Sequence, residues 1–201
     1  MAQAQSNFKS GKVYTRVLTR ARELFYRNGY YRTGVREIIK SARAATASFY
    51  DNFGSKENLA TDYLLAEETA MRENLSRLIE REPDPLKFLR LWLIAKKKDL
   101  RAGLFVGCPF AGFAYQSAEM EAEHRETLAA IMQRWESLLK DYIRAAIDRG
   151  FLRPETDPLH VTRRIILLYQ GGVAAWRISG NRDYIKHMQN SIMEEIHSYQ
   201  D

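Results

Sequence analysis

Apolar side chains recur along most of this chain at spacings of three and four, the mark of helices that bury one face. Val17, Leu18, Ala21, Leu24 and Phe25 form the first such stripe. Asn28-Gly29 ends it, because glycine accepts the left-handed conformation that closes a helix. Thr33 is placed to cap a short second helix carrying Val35, Ile38 and Ile39. A third short helix begins near Ala45 or Thr46 and ends at Phe53-Gly54. Ser55 then caps a long helix with Leu59, Tyr63, Leu64, Ala70, Leu75, Leu78 and Ile79 at apolar positions. Two short helices about a tight turn, backed by a longer one, make a helix-turn-helix.

Beyond Arg81 the pattern stays helical. Pro83-Asp84-Pro85 separates the long helix from one over Leu86–Leu100, since proline suits a helix's first turn. Gly103–Pro109 interrupts the pattern, a shorter helix covers Phe110–Ala118, and an amphipathic stretch spans Glu121–Arg149. Asp157-Pro158 opens a helix through Leu159, Ile165, Leu168, Tyr169, Val173 and Trp176. Gly180 closes it, and Arg182–Tyr199 makes the last. No segment alternates with the period of a strand. The expectation is an all-α protein of about nine helices, with an N-terminal three-helix helix-turn-helix domain over residues 1–58. A larger helical domain for effector binding and dimerisation then covers residues 59–201.

Charge adds a direction to this picture. The net charge of +6 is concentrated at one end. Residues 1–60 hold eleven Lys/Arg against four Asp/Glu, a net +7, which leaves −1 for the rest. A basic head on a near-neutral body is the electrostatic footprint of a module that binds a polyanion. No apolar run approaches the roughly 20 residues of a membrane span, and Met1–Ser10 lacks an apolar leader stretch. The single cysteine, Cys108, precludes an internal disulfide and fits a reducing interior. These features point to a cytoplasmic protein without a membrane partner, and no cofactor motif is present.

The run Arg16-Val-Leu-Thr-Arg-Ala-Arg-Glu-Leu-Phe25 is followed by Asn28-Gly-Tyr30, Thr33 and Val35-Arg-Glu-Ile38. Ser48-Phe-Tyr-Asp-Asn-Phe53 and Ser55-Lys-Glu57 come next. In order and spacing, these segments resemble the N-terminal domain of TetR-family (TetR/AcrR) transcriptional regulators over about residues 14–65. The resemblance implies a repressor that binds double-stranded operator DNA and responds to a small-molecule effector. It departs from the family at one place: Arg43-Ala44-Ala45 stands where Gly-Val-Ser is usual. A glycine serves the tight turn and a serine caps the helix, so this replacement costs about 1 kcal/mol locally.

The third helix, Ala45 to Asn52, is the element expected in the major groove, which admits one helix. Thr46 and Ser48 offer short hydroxyls to bases or phosphates, and Tyr50 and Asn52 lie near the helix end where the backbone comes close. Tyr50 fits the core as an alternative. Lys56, in the first turn of the next helix, adds charge to a helix N-terminus. Thr33 is either a cap alone or a cap that also holds a phosphate, and Arg43, Ala44 and Ala45 complete the set. One helix-turn-helix reads few bases, so a homodimer on a palindrome is expected, joined through the last two helices. Gly171-Gly172 marks a close backbone approach there, to a partner or a ligand.

For the effector, the body offers Trp92, Phe105, Cys108, Phe110, Phe113, Trp135, Tyr169 and Trp176 as cavity-lining candidates, with Tyr115 and Met132 beside them. Aromatics at helical spacing also serve as plain core. No run of charges accompanies them, which favours an apolar or weakly polar ligand. Gly107-Cys108, ahead of Pro109 and a short helix, resembles a branch of the family that senses electrophiles or oxidants; the alternative is a buried cysteine packed as a small hydrophobe. Two catalytic or simpler readings compete. Glu121-x-x-His124 and Glu194-x-x-His197 have the spacing of di-iron helical bundles, but the first sits in a run that reads as a solvated face. An effector-free DNA-binding protein is the other.

Overall fold

The computed structural model describes residues 11–116 and 120–200; the expected helical residues 117 and 118 lie outside this range. Nine α-helices and no strands occur among the described residues. The first four are α1 (Lys12–Asn28), α2 (Val35–Ala42), α3 (Thr46–Phe53) and α4 (Lys56–Arg81). They are followed by α5 (Pro85–Arg101), α6 (Pro109–Ala114), α7 (Ala122–Asp148), α8 (Pro158–Ser179) and α9 (Asp183–His197). Side-chain caps set three of these starts. Ser55 Oγ accepts from the Asn58 amide at 3.1 Å, Asp84 Oδ1 from Leu86 N–H at 2.9 Å and Asp157 Oδ1 from Leu159 N–H at 2.9 Å. Pro85 and Pro158 occupy the first turns that follow.

The stripe on α1 buries Val17, Ala21 and Phe25 against Ile38 of α2, Phe49 and Phe53 of α3, and Leu59 and Tyr63 of α4. This small core fixes the angle between α2 and α3. Tyr14 stacks on Phe53 with ring centroids 4.9 Å apart, which closes its outer side. In the body, α8 packs against both α7 and α9. Gly172 is where α9 comes nearest: a Cβ there would lie 2.4 Å from Met188 Cβ. The close approach expected at Gly171-Gly172 is therefore within the chain at Gly172, neither partner nor ligand. Gly171 beside it faces open space.

Helix α4 joins head to body and is held along its whole length by α7. The buried His124 places Nε2 3.1 Å from the Glu57 carbonyl, Arg134 Nη2 donates to Glu68 Oε2 at 2.7 Å, and Tyr142 Oη donates to the Glu82 carbonyl at 2.8 Å. From the other side, Arg22 Nε on α1 donates to Glu67 Oε1 at 2.8 Å. Glu67 and Glu68, adjacent in sequence, thus tie α4 to the head and to the body respectively.

Candidate functional site

Burying Phe49 and Phe53 turns the opposite face of α3 outward. Ala45, Thr46 and Tyr50 are exposed, with Tyr50 at 52%, while Ser48 and Asn52 are half-buried. Asn52 bends back so that Nδ2 donates to the Ser48 carbonyl at 2.7 Å. Ala45 sits at the N-cap with no side-chain cap, as its residue type requires. Before it, Arg43 ends α2 in the left-handed conformation, φ 48°, ψ 46°. Among the described residues it is the one non-glycine with positive φ. Its side chain is exposed, and Ala44 packs half-buried on the core.

Two expected contacts look different in three dimensions. Thr33 does not cap α2: Gly34 holds that position. Thr33 is fully buried, and its Oγ1 donates to the Gly29 carbonyl at 2.8 Å, so it sews up the end of α1 and presents nothing to a phosphate. Lys56 lays its ammonium over the Tyr30 ring, 4.2 Å from the centroid, and partial burial pulls its pKa below the usual lysine value. Sequence reasoning overlooked the N-terminal half of α1. Lys12, Thr15, Arg16 and Thr19 share one depression with Ser41 and Arg43, extending the basic face beyond α3. The signal was the i, i+3, i+4 spacing of polar residues opposite the apolar stripe.

The body contains a cavity of about 750 Å³ between α4, α5 and the α6–α8 region, within the range of small-molecule sites. Trp92, Phe105, Cys108, Phe110, Trp135 and Tyr169 line it, so six of the eight expected residues converge. Phe113 instead lines a second, smaller cavity, and Trp176 backs Phe105 in a stacked pair, 5.8 Å and 13°. Tyr115 and Met132 are exposed. The expected lack of charge on the wall is corrected: Glu67, Arg77, Arg81, Lys96 and Asp99 all line it. They escaped notice because they come singly from two helices. Cys108 is buried on the wall of both cavities and its Sγ accepts from Gln170 Nε2 at 3.4 Å.

Tyr26 connects this region to the head. Its hydroxyl donates to the Gly107 carbonyl at 2.8 Å and accepts from Val106 N–H at 3.1 Å, and burial holds the phenol above its ordinary pKa. The Glu-x-x-His pairs gain no support as metal ligands. His124 is buried at the seam between α4 and α7 and is no part of a solvated face, whereas Glu194 and His197 are exposed on α9. No group of three or more His, Cys, Asp or Glu side chains in ligating arrangement occurs among the described residues. No helix there is long and apolar enough to cross a membrane.

Comparison with known proteins agrees with this architecture. Residues 17–63 match the family model described as bacterial regulatory proteins, tetR family, and residues 88–192 match the tetracyclin repressor-like C-terminal domain. The transcriptional repressor DhaR of a Mycobacterium species is 22% identical over 175 residues, 87% of each chain. The transcriptional regulator AcuR of Cereibacter sphaeroides is 25% identical over 147 residues, 72% of this chain and 67% of that one. Among solved structures, a TetR-family regulator from Cytophaga hutchinsonii superposes with a TM-score of 0.85 at 19% identity, covering 95% of this chain and 98% of that one. FadR of Bacillus subtilis, solved with stearoyl-CoA, gives 0.73 at 20% identity, covering 94% and 100%. With both of its halves matched, this chain belongs to the TetR family of DNA-binding transcriptional regulators.

Proposed function

We propose that this protein is a ligand-responsive repressor that binds a palindromic operator as a homodimer and is released by a small molecule in the 750 Å³ cavity. The observation that carries the reading is the outward face of α3, set in a head of net charge +7 while Phe49 and Phe53 anchor its other face. Thr46, Ser48 and Tyr50 read or flank the bases, Ala44 and Ala45 let the backbone approach, and Arg43, Asn52 and Lys56 hold phosphates. Lys56 does so only by leaving the Tyr30 ring. The functional boundary falls at residue 58, in the first turn of α4.

Dimerisation is assigned to the last two helices, α8 and α9, with α8 supplying most of the exposed apolar surface. Leu167, 66% exposed, and Ile178, 88% exposed, flank Gly171 on one side of that helix, and burying such a stripe is the usual use of an exposed apolar patch. The outer face of α9 is polar, with Lys186, His187, Asn190 and Glu194. The test is selection of duplexes from a randomised pool, followed by binding titrations at several salt concentrations. An inverted repeat should be enriched, and log affinity should fall linearly with log salt. Tyr50→Ala should weaken the selected site and spare random duplex. Absence of any enriched sequence would refute the proposal.

The effector's organic part sits among Trp92, Trp135 and Tyr169, and a polar part meets the charged wall. Covalent sensing is a second reading, favoured by the place of Cys108 on both cavity walls. A quinone would add Sγ at a ring carbon, the thiol proton passing to the quinone oxygen. Release of operator by a quinone from the wild type but not from Cys108→Ser supports it; equal release from both rules it out.

A further inference from the structure

The second cavity, of about 470 Å³, lies between the C-terminal end of α1 and the α6 and α8 helices, where head meets body. Phe25, Tyr63 and Phe113 supply aromatic surface. Arg27 and Arg32 from the head and Arg177 from α8, all three exposed, stand at its rim, with the Arg177 guanidinium 6.0 Å from the Trp176 ring centroid, and no Asp or Glu among the described residues lines the wall. None of the three guanidinium groups has a carboxylate partner among the described residues. Elsewhere, arginines that bridge helices are matched, as in Arg134–Glu68, Arg163–Glu136 and Arg164–Glu195.

Three cations around the rim of one aromatic-walled cleft, with no carboxylate among the described residues facing them, raise the positive potential at its mouth. Guanidinium forks fit carboxylate or phosphate oxygens, and ring faces fit a flat body. The operator is not the anion these residues await. The basic depression of Lys12, Arg16 and Arg43 belongs to the other end of α1, and Arg16 and Arg27 are roughly 16 Å apart along the helix axis. Arg177, moreover, stands on the body.

We propose that this cleft is a second small-molecule site, for an aromatic anion carrying two or more negative charges. Its occupant touches head and body at once and so fixes their relative position. The two cavities adjoin, with Tyr26, Gly107, Cys108 and Pro109 as a common wall.

The experiment is calorimetric titration of the full chain with naphthalene-2,6-dicarboxylate and, separately, its neutral dimethyl ester. The dicarboxylate should bind, and the ester at least tenfold more weakly. Arg177→Gln should weaken the dicarboxylate roughly tenfold, the scale of one charged hydrogen bond, with Arg32→Gln doing the same. Trp92→Ala, in the larger cavity, should leave its affinity within twofold. Melting curves check that each variant is folded, and Arg177→Lys, which keeps charge but loses the fork, should fall between wild type and Arg177→Gln. No measurable binding, equal binding of the ester, or loss with Trp92→Ala but not with Arg177→Gln overturns the proposal.

Discussion

Arg43 occupies a backbone conformation in which its Cβ crowds the chain, with φ at 48°, because α2 and α3 must turn sharply between Ala42 and Thr46. Arg43→Gly removes that crowding and should stabilise the protein by about 0.5–1 kcal/mol, raising the melting temperature by roughly 1–4 °C; a fall would disprove the strain. Tyr26 carries the opposite kind of dependence. Tyr26→Phe leaves the Gly107 carbonyl and Val106 amide without their partner, and thermal unfolding should register a loss of about 1–2 kcal/mol. Arg43 was legible in the sequence, since a bulky residue stood where the turn wants glycine. Thr33 was not. A threonine just before a helix satisfies the local rule for a cap, but burial gave its hydroxyl a nearer carbonyl at Gly29, and tertiary packing outranked the local preference.

Helix α8 shows how two identical residues come to mean different things. Gly172 faces Met188, so Gly172→Ala forces α9 away and should cost on the order of 2 kcal/mol, read from chemical denaturation. Gly171 meets nothing within 4 Å, and Gly171→Ala should hold or gain up to about 1 kcal/mol of fold stability through helix propensity. The pair is indistinguishable in sequence because only helix rotation separates the two faces. Helix existence, by contrast, was plain throughout. Ser55 and Asp157 cap where the sequence placed them, since an N-cap acts on amides two or three residues away, and Asp84, read from sequence only as part of a proline break, caps α5 in the same way. The cavity's aromatic part was readable as a composition. Its charged part was not, because Arg77, Arg81, Lys96 and Asp99 are brought to one wall only by the packing of α4 on α5.

At the scale of the molecule, the apolar side of α8 predicts the assembly. Leu167→Glu places a charge in the middle of the proposed interface while leaving the chain's own core untouched. Sedimentation velocity should show the dimer replaced by monomer, and operator affinity should drop with it; a wild-type-like dimer would place the interface elsewhere. The head alone was legible from charge and periodicity. The body was legible only as helices, because a cavity is a property of what several helices leave between them.

The three ties from Glu57 to Glu82 bind α4 to α7, so that the two tilt as one lever arm, for which we propose the α4–α5 turn as the pivot. At 1.5 Å per residue the 26 residues of α4 reach about 39 Å. A tilt of about 5° at the pivot therefore carries the recognition helix through an arc on the order of 3 Å, as long as a whole hydrogen bond. On the proposed function, a molecule wedged beneath α4 need displace its neighbours very little to break every base contact at once. Two such arms, swinging in a dimer, would lose register with both half-sites together.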